Sequence, residues 1–226
     1  MTKGQAGLTC HLAKMGADHA PLPRAFAMKP APMNLPHVPL QGWGVRLLPY
    51  APDLYEPVRQ ALDCDAEGWQ LFALSGQGEH FAQDWWPMIE RQTAAGQWQA
   101  YAIEDQASGR VVGTTSFLNH VPGRQKVEIG GTFLHPSVRA GVVNPASKLL
   151  LLQHAFDHGA RRVELLTDLR NLRSQAAIAK LGAVREGVAR RDRTTWTGHI
   201  RDSAVYAITD LDWPGVRQRL LQRLPA

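Results

Sequence analysis

The spacing of apolar residues along the chain predicts an alternation of helices and strands. Phe81, Trp85 and Met88 recur at helical spacing before Gly96, for example, whereas short apolar runs bounded by turn residues are typical of strands. The pattern predicts helices over residues 52–64, 79–95, 145–158, 172–181 and 214–224, and strands over residues 45–48, 98–104, 111–118, 126–134, 162–167, 184–189 and 200–210. This order indicates an α/β protein built on one mixed sheet with helices on both faces.

The composition is that of an ordinary globular protein. The 226 residues are 44% hydrophobic and 20% charged, and a chain of this length holds a core without disulfides or a structural metal. Cys10 and Cys64 form no CxxC pair, which favours a reducing, cytoplasmic setting and argues against zinc and redox functions. The longest strongly apolar stretch, Leu149 to Leu152, is far shorter than the roughly 18 residues of a membrane span, so no membrane partner is expected.

Residues 1–39 differ from the rest of the chain. They contain four basic residues against Asp18 alone, a net charge of +3 out of the total of +5, and six of the fifteen prolines. Such a segment is predicted to be a disordered or extended N-terminal extension, with the folded domain over residues 40–226. A dispensable extension, with Met28 or Met33 as the true start, is favoured over a targeting or anion-binding arm. Whether these residues belong to the native protein is left open.

A second basic region begins at Arg161. Residues 161–202 hold nine Arg and one Lys against five acidic residues, which leaves +5. The planar guanidinium fork matches phosphate oxygens, so this region suits a phosphorylated ligand. Nucleic-acid binding is not expected, because bases stack on aromatic side chains and Trp196 is the only Trp, Tyr or Phe in residues 161–202.

The segment from His135 to Pro145 connects a predicted strand to a predicted helix. Asn144 is predicted to cap that helix, with Pro145 at its first position. The free N–H groups and positive dipole end of such a helix can bind pyrophosphate, and Arg139 would add a mobile positive charge. By itself this signal is weak, since most strand-to-helix loops bind nothing.

Residues 171–183, followed by Glu186-Gly187 and Arg190, resemble the coenzyme A-binding helix and strand of the GNAT N-acetyltransferases. They are most similar to the branch that contains the RimJ/RimL-type enzymes. Further stretches fit in the same order: residues 127–136, residues 143–148, Arg201-Asp202-Ser203 with Tyr206, and Trp213-Pro214. The resemblance covers residues 40–224 and implies a single GNAT-type domain with a mostly antiparallel sheet. It is specific for the family and weak for the substrate.

The resemblance also implies which residues bind acetyl-CoA. The backbone of Arg139, Ala140, Gly141, Val142, Val143 and Asn144 would wrap the pyrophosphate, although Gly141 stands one place earlier than in the usual family motif. Asn171 would hydrogen-bond the pantetheine arm, Ser174 would lie near the sulfur, and the backbone around Leu134 would stabilise the oxyanion. No metal is implied.

Glu128 is the candidate general base, because it lies beside Gly130-Gly131, where a bulge or a close backbone approach is expected. A carboxylate paired with Lys126 or Arg124 is an equally supported alternative. Many members of the family have a Tyr that acts as the general acid at the position of Ile178. Isoleucine cannot donate a proton, so Ser174 is the candidate general acid here. Tyr206 is a fallback that is better explained as a core residue.

The acceptor site is expected near Trp43, Trp85, Trp86 and Trp98. The consecutive pair, Trp85 and Trp86, should not both face the core of one helix. The four His at positions 135, 154, 158 and 199 have no metal-ligand spacing.

The resemblance therefore implies an N-acetyltransferase acting on a primary amine, either a protein N-terminus or a small molecule. The alternatives are a non-catalytic acyl-CoA-binding or sensor module and, third, a nucleic-acid binder. Association as a homodimer is left open.

Overall fold

The computed structural model describes residue 1 and residues 31–225. One sheet of eight strands has the order β1-β2-β3-β4-β5-β6-β8-β7, and every neighbouring pair is antiparallel except β5 and β6. The mixed, mostly antiparallel sheet predicted from the sequence is therefore confirmed. The strands are β1 Leu40–Gly42, β2 Val45–Pro49, β3 Gln99–Asp105, β4 Arg110–Val121, β5 Lys126–Leu134, β6 Arg162–Asp168, β7 Val184–Thr194 and β8 Ile200–Thr209. The α-helices are α1 Tyr55–Leu62, α2 Ala66–Trp69, α3 Trp86–Ala94, α4 Val143–Asp157, α5 Leu172–Leu181 and α6 Trp213–Leu221.

Helices cover both faces of this sheet. Alternate residues of a strand point to opposite faces, and β3 divides in this way: Tyr101 and Ile103 join one hydrophobic cluster, and Ala100 and Ala102 join the other. The first cluster includes the leucines of α4 with residues of α5 and α6, and the second includes residues of α1, α2 and α3. The sheet is therefore buried between two helical layers.

Residues 31–39 form no helix or strand, but they are part of the folded unit. Met33 and Leu35 are 3% and 4% exposed and belong to the same core cluster as α4. The imidazole of His154 hydrogen-bonds the carbonyl of Pro36 at 2.8 Å. Residues 31–39 therefore belong to one compact unit with the residues that follow, because these two apolar side chains have a core to enter. The predicted disorder of residues 2–30 lies outside the described residues.

The predicted start of α4 is wrong by two residues. The helix begins at Val143, and the first helical hydrogen bond runs from the Ala146 N–H to the Val142 carbonyl at 2.9 Å. Asn144 and Pro145 lie inside the first turn. Pro145 is tolerated there because the first N–H groups of a helix have no helical partner in any case.

Trp85 and Trp86 are both buried, contrary to the prediction. Residues Phe81–Trp85 form a π-helical turn that leads directly into α3. A π turn has a wider spacing than an α turn and shifts the phase of the side chains, so two consecutive residues can both face the core. No helix among the described residues is long and apolar enough to cross a membrane.

Candidate active site

A cavity of about 470 Å³ opens where two parallel strands diverge. β5 and β6 pair only from Lys126 to Glu128, opposite Arg162 to Glu164, although both strands continue well beyond this point. The wall includes residues of the unpaired ends of both strands and of the first turns of α4 and α5. The candidate site positions discussed above that line the cavity are Trp85, Trp98, Glu128, Leu134, Arg139, Ala140, Asn144, Asn171, Ser174 and Ile178.

A β-bulge shapes this part of β5. Ser116 of β4 pairs with Gly130, and Thr114 pairs with Phe133, so β5 has one extra residue between these pairs. Gly131 takes a positive φ of 58° there, a conformation that glycine adopts without strain. A Cβ at Gly130 would lie 3.0 Å from the Glu128 Oε1. The predicted bulge is confirmed, and the absence of a side chain at Gly130 leaves room for the Glu128 carboxylate.

Glu128 is 4% exposed and faces the cavity. Its Oε2 accepts a hydrogen bond of 2.7 Å from the Asn119 amide. Burial raises the pKa of Glu128, whereas the charge of Arg193 and the Asn119 hydrogen bond oppose the rise. Lys126 instead pairs with Glu164 at 2.7 Å. Arg124 forms no ion pair with Glu128 within the described residues either, so the alternative in which Glu128 is paired with Lys126 or Arg124 is wrong.

The N-terminus of α5 brings two of the predicted residues together. The Asn171 Oδ1 caps the helix by accepting the Ser174 N–H at 2.9 Å. Ser174 and Ile178 are one turn apart on the side of α5 that borders the cavity. Tyr206 does not line the cavity; it is buried in the core, and its hydroxyl lies 3.5 Å from the Gln175 Oε1. The core interpretation of Tyr206 is the one that fits.

The loop before α4 differs from its predicted form. Arg139 is held by several contacts: its guanidinium forms an ion pair with Asp65, donates from Nε to the Leu134 carbonyl at 2.9 Å, and lies 5.3 Å from the centre of the Phe133 ring. Ala140, and not Gly141, takes the left-handed conformation, with a φ of 62°. Fixed in this way, the Arg139 charge is already paired with a carboxylate.

The remaining predicted residues lie outside the cavity wall. Val142 is exposed, Val143 is buried in the core, and Gly141 does not line the cavity. Trp43 and Trp86 also lie elsewhere. Trp86 stacks on Tyr50, and Trp43 packs against the α4 core. Among the described residues, no three or more His, Cys, Asp or Glu are grouped to hold a metal ion.

Sequence reasoning missed Lys148, which is buried in α4 and lines the cavity. Its Nζ donates to the Thr132 Oγ1 at 2.6 Å and the Thr115 Oγ1 at 3.3 Å. Burial lowers the pKa of Lys148 to about 7. A lysine immediately before four consecutive leucines is the signal that could have revealed it, since such a position faces the core.

Two arginines of the cavity wall, Arg193 and Arg201, were also missed as site residues. They stand directly opposite each other on β7 and β8. Arg193 pairs with Asp192 at 2.7 Å. Arg201 is 7% exposed and donates from Nε to the Ser203 Oγ at 2.8 Å. The cavity wall thus includes two neighbouring guanidinium groups.

Comparison with known proteins adds to this geometry. Residues 45–184 match the profile of the acetyltransferase (GNAT) domain family. An acetyltransferase structure from T. thermophilus is 33% identical, covers 83% of this chain and 97% of its own, and has a TM-score of 0.73. A GCN5-related N-acetyltransferase from Brucella melitensis is 23% identical (85% and 88% coverage, TM-score 0.77), and Mycobacterium smegmatis RimJ, solved with CoA-disulfide, is 21% identical (81% and 92% coverage, TM-score 0.68). No curated protein gave a significant match.

Proposed function

This chain belongs to the GNAT acetyltransferase family, and on that premise we propose that it transfers an acetyl group from acetyl-CoA to a primary amine. The observation that carries the proposal is the meeting of Glu128 with the N-terminal turns of α4 and α5 in one cavity. Acetyl-CoA would supply the activated acetyl group as a thioester. The residues of this chain would bind it, orient the amine and manage the protons.

The loop and the start of α4 offer the donors that a pyrophosphate requires. The backbone N–H groups of residues 140–144 make no hydrogen bond to another described residue. Free N–H groups at a helix N-terminus, with the helix dipole behind them, favour phosphate oxygens. We therefore assign the segment Arg139 to Asn144 to the pyrophosphate and the Asn171 amide to the pantetheine arm. Arg139 orders the loop through its ion pair with Asp65.

Glu128 would accept the proton that the attacking amine loses, directly or through a water. Its raised pKa makes it a stronger base than an exposed carboxylate. A main-chain N–H near the Gly131 bulge or at Leu134 would donate to the thioester carbonyl oxygen. The family residue that often protonates the thiolate is missing here, because Ile178 has no proton to give. Ser174 is the candidate general acid in its place. Because a thiol has a pKa of about 8.5, the coenzyme can also leave as a thiolate without being protonated.

The test is thiol release from acetyl-CoA by the purified protein, with and without a panel of amines, and mass spectrometry of the acceptor. Amine-dependent release and an added acetyl group would support the proposal. Tight acetyl-CoA binding by calorimetry without turnover on any amine would instead favour the non-catalytic acyl-CoA-binding or sensor module, for which Ile178 is the specific argument.

The paired charges weaken the nucleic-acid alternative. Five of the nine arginines in residues 161–202 lie within 4 Å of a carboxylate: Arg161, Arg162, Arg170, Arg173 and Arg193. An affinity for nucleic acid that falls steeply with salt would be needed to restore it. The RimJ/RimL-like branch, the choice between a protein N-terminus and a small amine, the cytoplasmic location and the homodimer stay predictions.

A further inference from the structure

The two cavity arginines are arranged in a way that the sheet itself disfavours. Arg193 and Arg201 are Cα partners on neighbouring antiparallel strands, so their side chains leave the same face of the sheet. Like charges directly opposite each other destabilise a strand pair. Arg201 is buried as well, and an incompletely paired buried guanidinium has a substantial desolvation penalty.

The charges around the pair compensate it only in part. The Asp192 Oδ2 accepts from the Arg193 Nε and from the Ser203 hydroxyl, each at 2.7 Å. Arg201 reaches Asp192 only through that hydroxyl, and its Nη1 donates to the Leu71 carbonyl at 3.3 Å. Asp192 thus serves both guanidinium groups, and the charges of Asp168 and Glu128 also act on Arg201, although neither of these carboxylates accepts a hydrogen bond from it within the described residues.

Several donors of this pair stay free. The Arg201 Nη2 and both Nη groups of Arg193 make no hydrogen bond within the part of the chain that the structure describes. Both residues line the cavity together with Glu128, and the proximity of Arg193 opposes the rise in the pKa of Glu128. The cavity wall therefore holds a carboxylate for an amine together with guanidinium N–H groups that have no partner among the described residues.

We infer that the acceptor amine carries an anionic group, a carboxylate, which Arg193 and Arg201 bind while the amino group faces Glu128. This inference rests on the proposed function. A guanidinium fork matches a carboxylate in a bidentate geometry, and a bound carboxylate would accept hydrogen bonds from the Nη groups that have no partner among the described residues. Either a free amino acid or a peptide N-terminus with a nearby acidic side chain provides this chemistry.

The experiment compares acceptors that differ in the anionic group, with kcat/KM calculated for the concentration of unprotonated amine because a neighbouring carboxylate also raises the pKa of the amine. One pair is L-alanine and L-alaninamide, and a second pair is the C-terminally amidated dipeptides Ala-Asp and Ala-Asn. The acidic member of at least one pair should have a kcat/KM for thiol release higher by about tenfold or more, as one charge-assisted hydrogen bond would give. A preference confined to the first pair identifies a free amino acid, and one confined to the second pair identifies a peptide N-terminus.

Variants connect the preference to the arginines. Arg201→Gln should abolish it, mainly by raising the KM of the acidic acceptor, and should leave acetyl-CoA binding unchanged. Arg185→Gln is the matched control, because Arg185 is exposed on the same strand as Arg193 and does not line the cavity. If Arg201→Gln does not fold, Arg193→Gln, at a more exposed position, carries the same test.

Equal kcat/KM values within both pairs would overturn the inference and leave the proposed function intact, since turnover itself would have been observed. A preference that both arginine variants retain would also overturn it. If none of these four acceptors is acetylated but another amine of the panel is, the inference is wrong and the proposed function stands; if no amine of the panel is acetylated, both are wrong.

Discussion

The Lys148 Nζ donates a hydrogen bond of 2.6 Å to the Thr132 hydroxyl between α4 and the sheet, at the edge of the cavity. Thr132 is in turn hydrogen-bonded to Thr115 at 2.8 Å. No carboxylate of the described residues forms an ion pair with Lys148. A lysine in this position is held by hydroxyl groups, which stabilise its charge less than a carboxylate would.

The first prediction concerns the pH dependence of stability. The folded pKa of Lys148 is about 7, and the unfolded value is about 10.4. Between these values the unfolded chain binds the proton and the folded chain does not, so this group makes the free energy of unfolding rise with pH, by at most about 1.4 kcal/mol per pH unit. Lys148→Met removes the titration and leaves the Thr115–Thr132 hydrogen bond in place. The stability of the variant relative to the wild type should therefore be higher at about pH 6 than at about pH 9, since part of the penalty on the wild type disappears over this range.

Urea unfolding of both proteins at the two pH values measures this difference. Lys180→Met is the matched control, because Lys180 is exposed on α5 and its replacement should give a difference that does not change with pH. A difference between wild type and Lys148→Met that is the same at both pH values would contradict the assignment of a lowered pKa to Lys148.

The second prediction concerns Glu128. Glu128→Gln keeps an oxygen that can accept from Asn119 but removes the base, so amine-dependent thiol release should fall by about 10²–10⁴-fold. The acetyl-CoA dissociation constant, measured by calorimetry, should stay unchanged. Because burial raises the pKa of Glu128, the wild-type rate should increase with pH through a step above the ordinary carboxyl range, and the variant should lack that step. Glu90→Gln, on the exposed side of α3, is the control, and equal turnover of Glu128→Gln and wild type would refute the role.

Local sequence signals located most of the fold and part of the site. The strand and helix periodicities depend on neighbouring residues, and the parallel β5–β6 pair follows from the α4 crossover between them. Glu128 lies near the start of β5, and Asn171 and Ser174 lie at the start of α5, two elements whose bounds the sequence predicts well; Asn144 lies in the first turn of α4, which begins two residues earlier than predicted. Their presence in one cavity was within reach of sequence reasoning.

The missed features depend on long-range geometry. Arg193 meets Arg201 because of the register between β7 and β8, which shifts between Ala189 and Arg193, and no local pattern determines such a shift. Arg139 and Asp65 are 74 positions apart in the chain, and Asp65 has a left-handed φ of 55°. The spacing of residues therefore predicts an unpaired charge at Arg139, whereas in the folded chain this charge is paired with Asp65.

The third prediction separates two roles of Asn171. Asn171→Ala removes the side chain that caps α5 and should lower the free energy of unfolding by about 1 kcal/mol. Asn171→Asp keeps a cap oxygen, so its stability should stay near that of the wild type, but it loses the amide donor assigned to the pantetheine arm. Both variants should bind acetyl-CoA more weakly. If Asn171→Asp binds as tightly as wild type in calorimetry, the amide has no role in binding.

The fourth prediction concerns the close approach of β4 to the bulge of β5. A Cβ at Gly113 would lie 2.3 Å from the Phe133 carbonyl oxygen, which belongs to the backbone and cannot move without changing the bulge that shapes the cavity. Gly113→Ala should therefore lower the free energy of unfolding by about 1–3 kcal/mol and reduce thiol release in the protein that remains folded. Gly123→Ala is the control, since a Cβ there meets no atom within 4 Å. Equal urea midpoints for the two variants would show that the bulge can adjust, and the cavity would then not depend on Gly113.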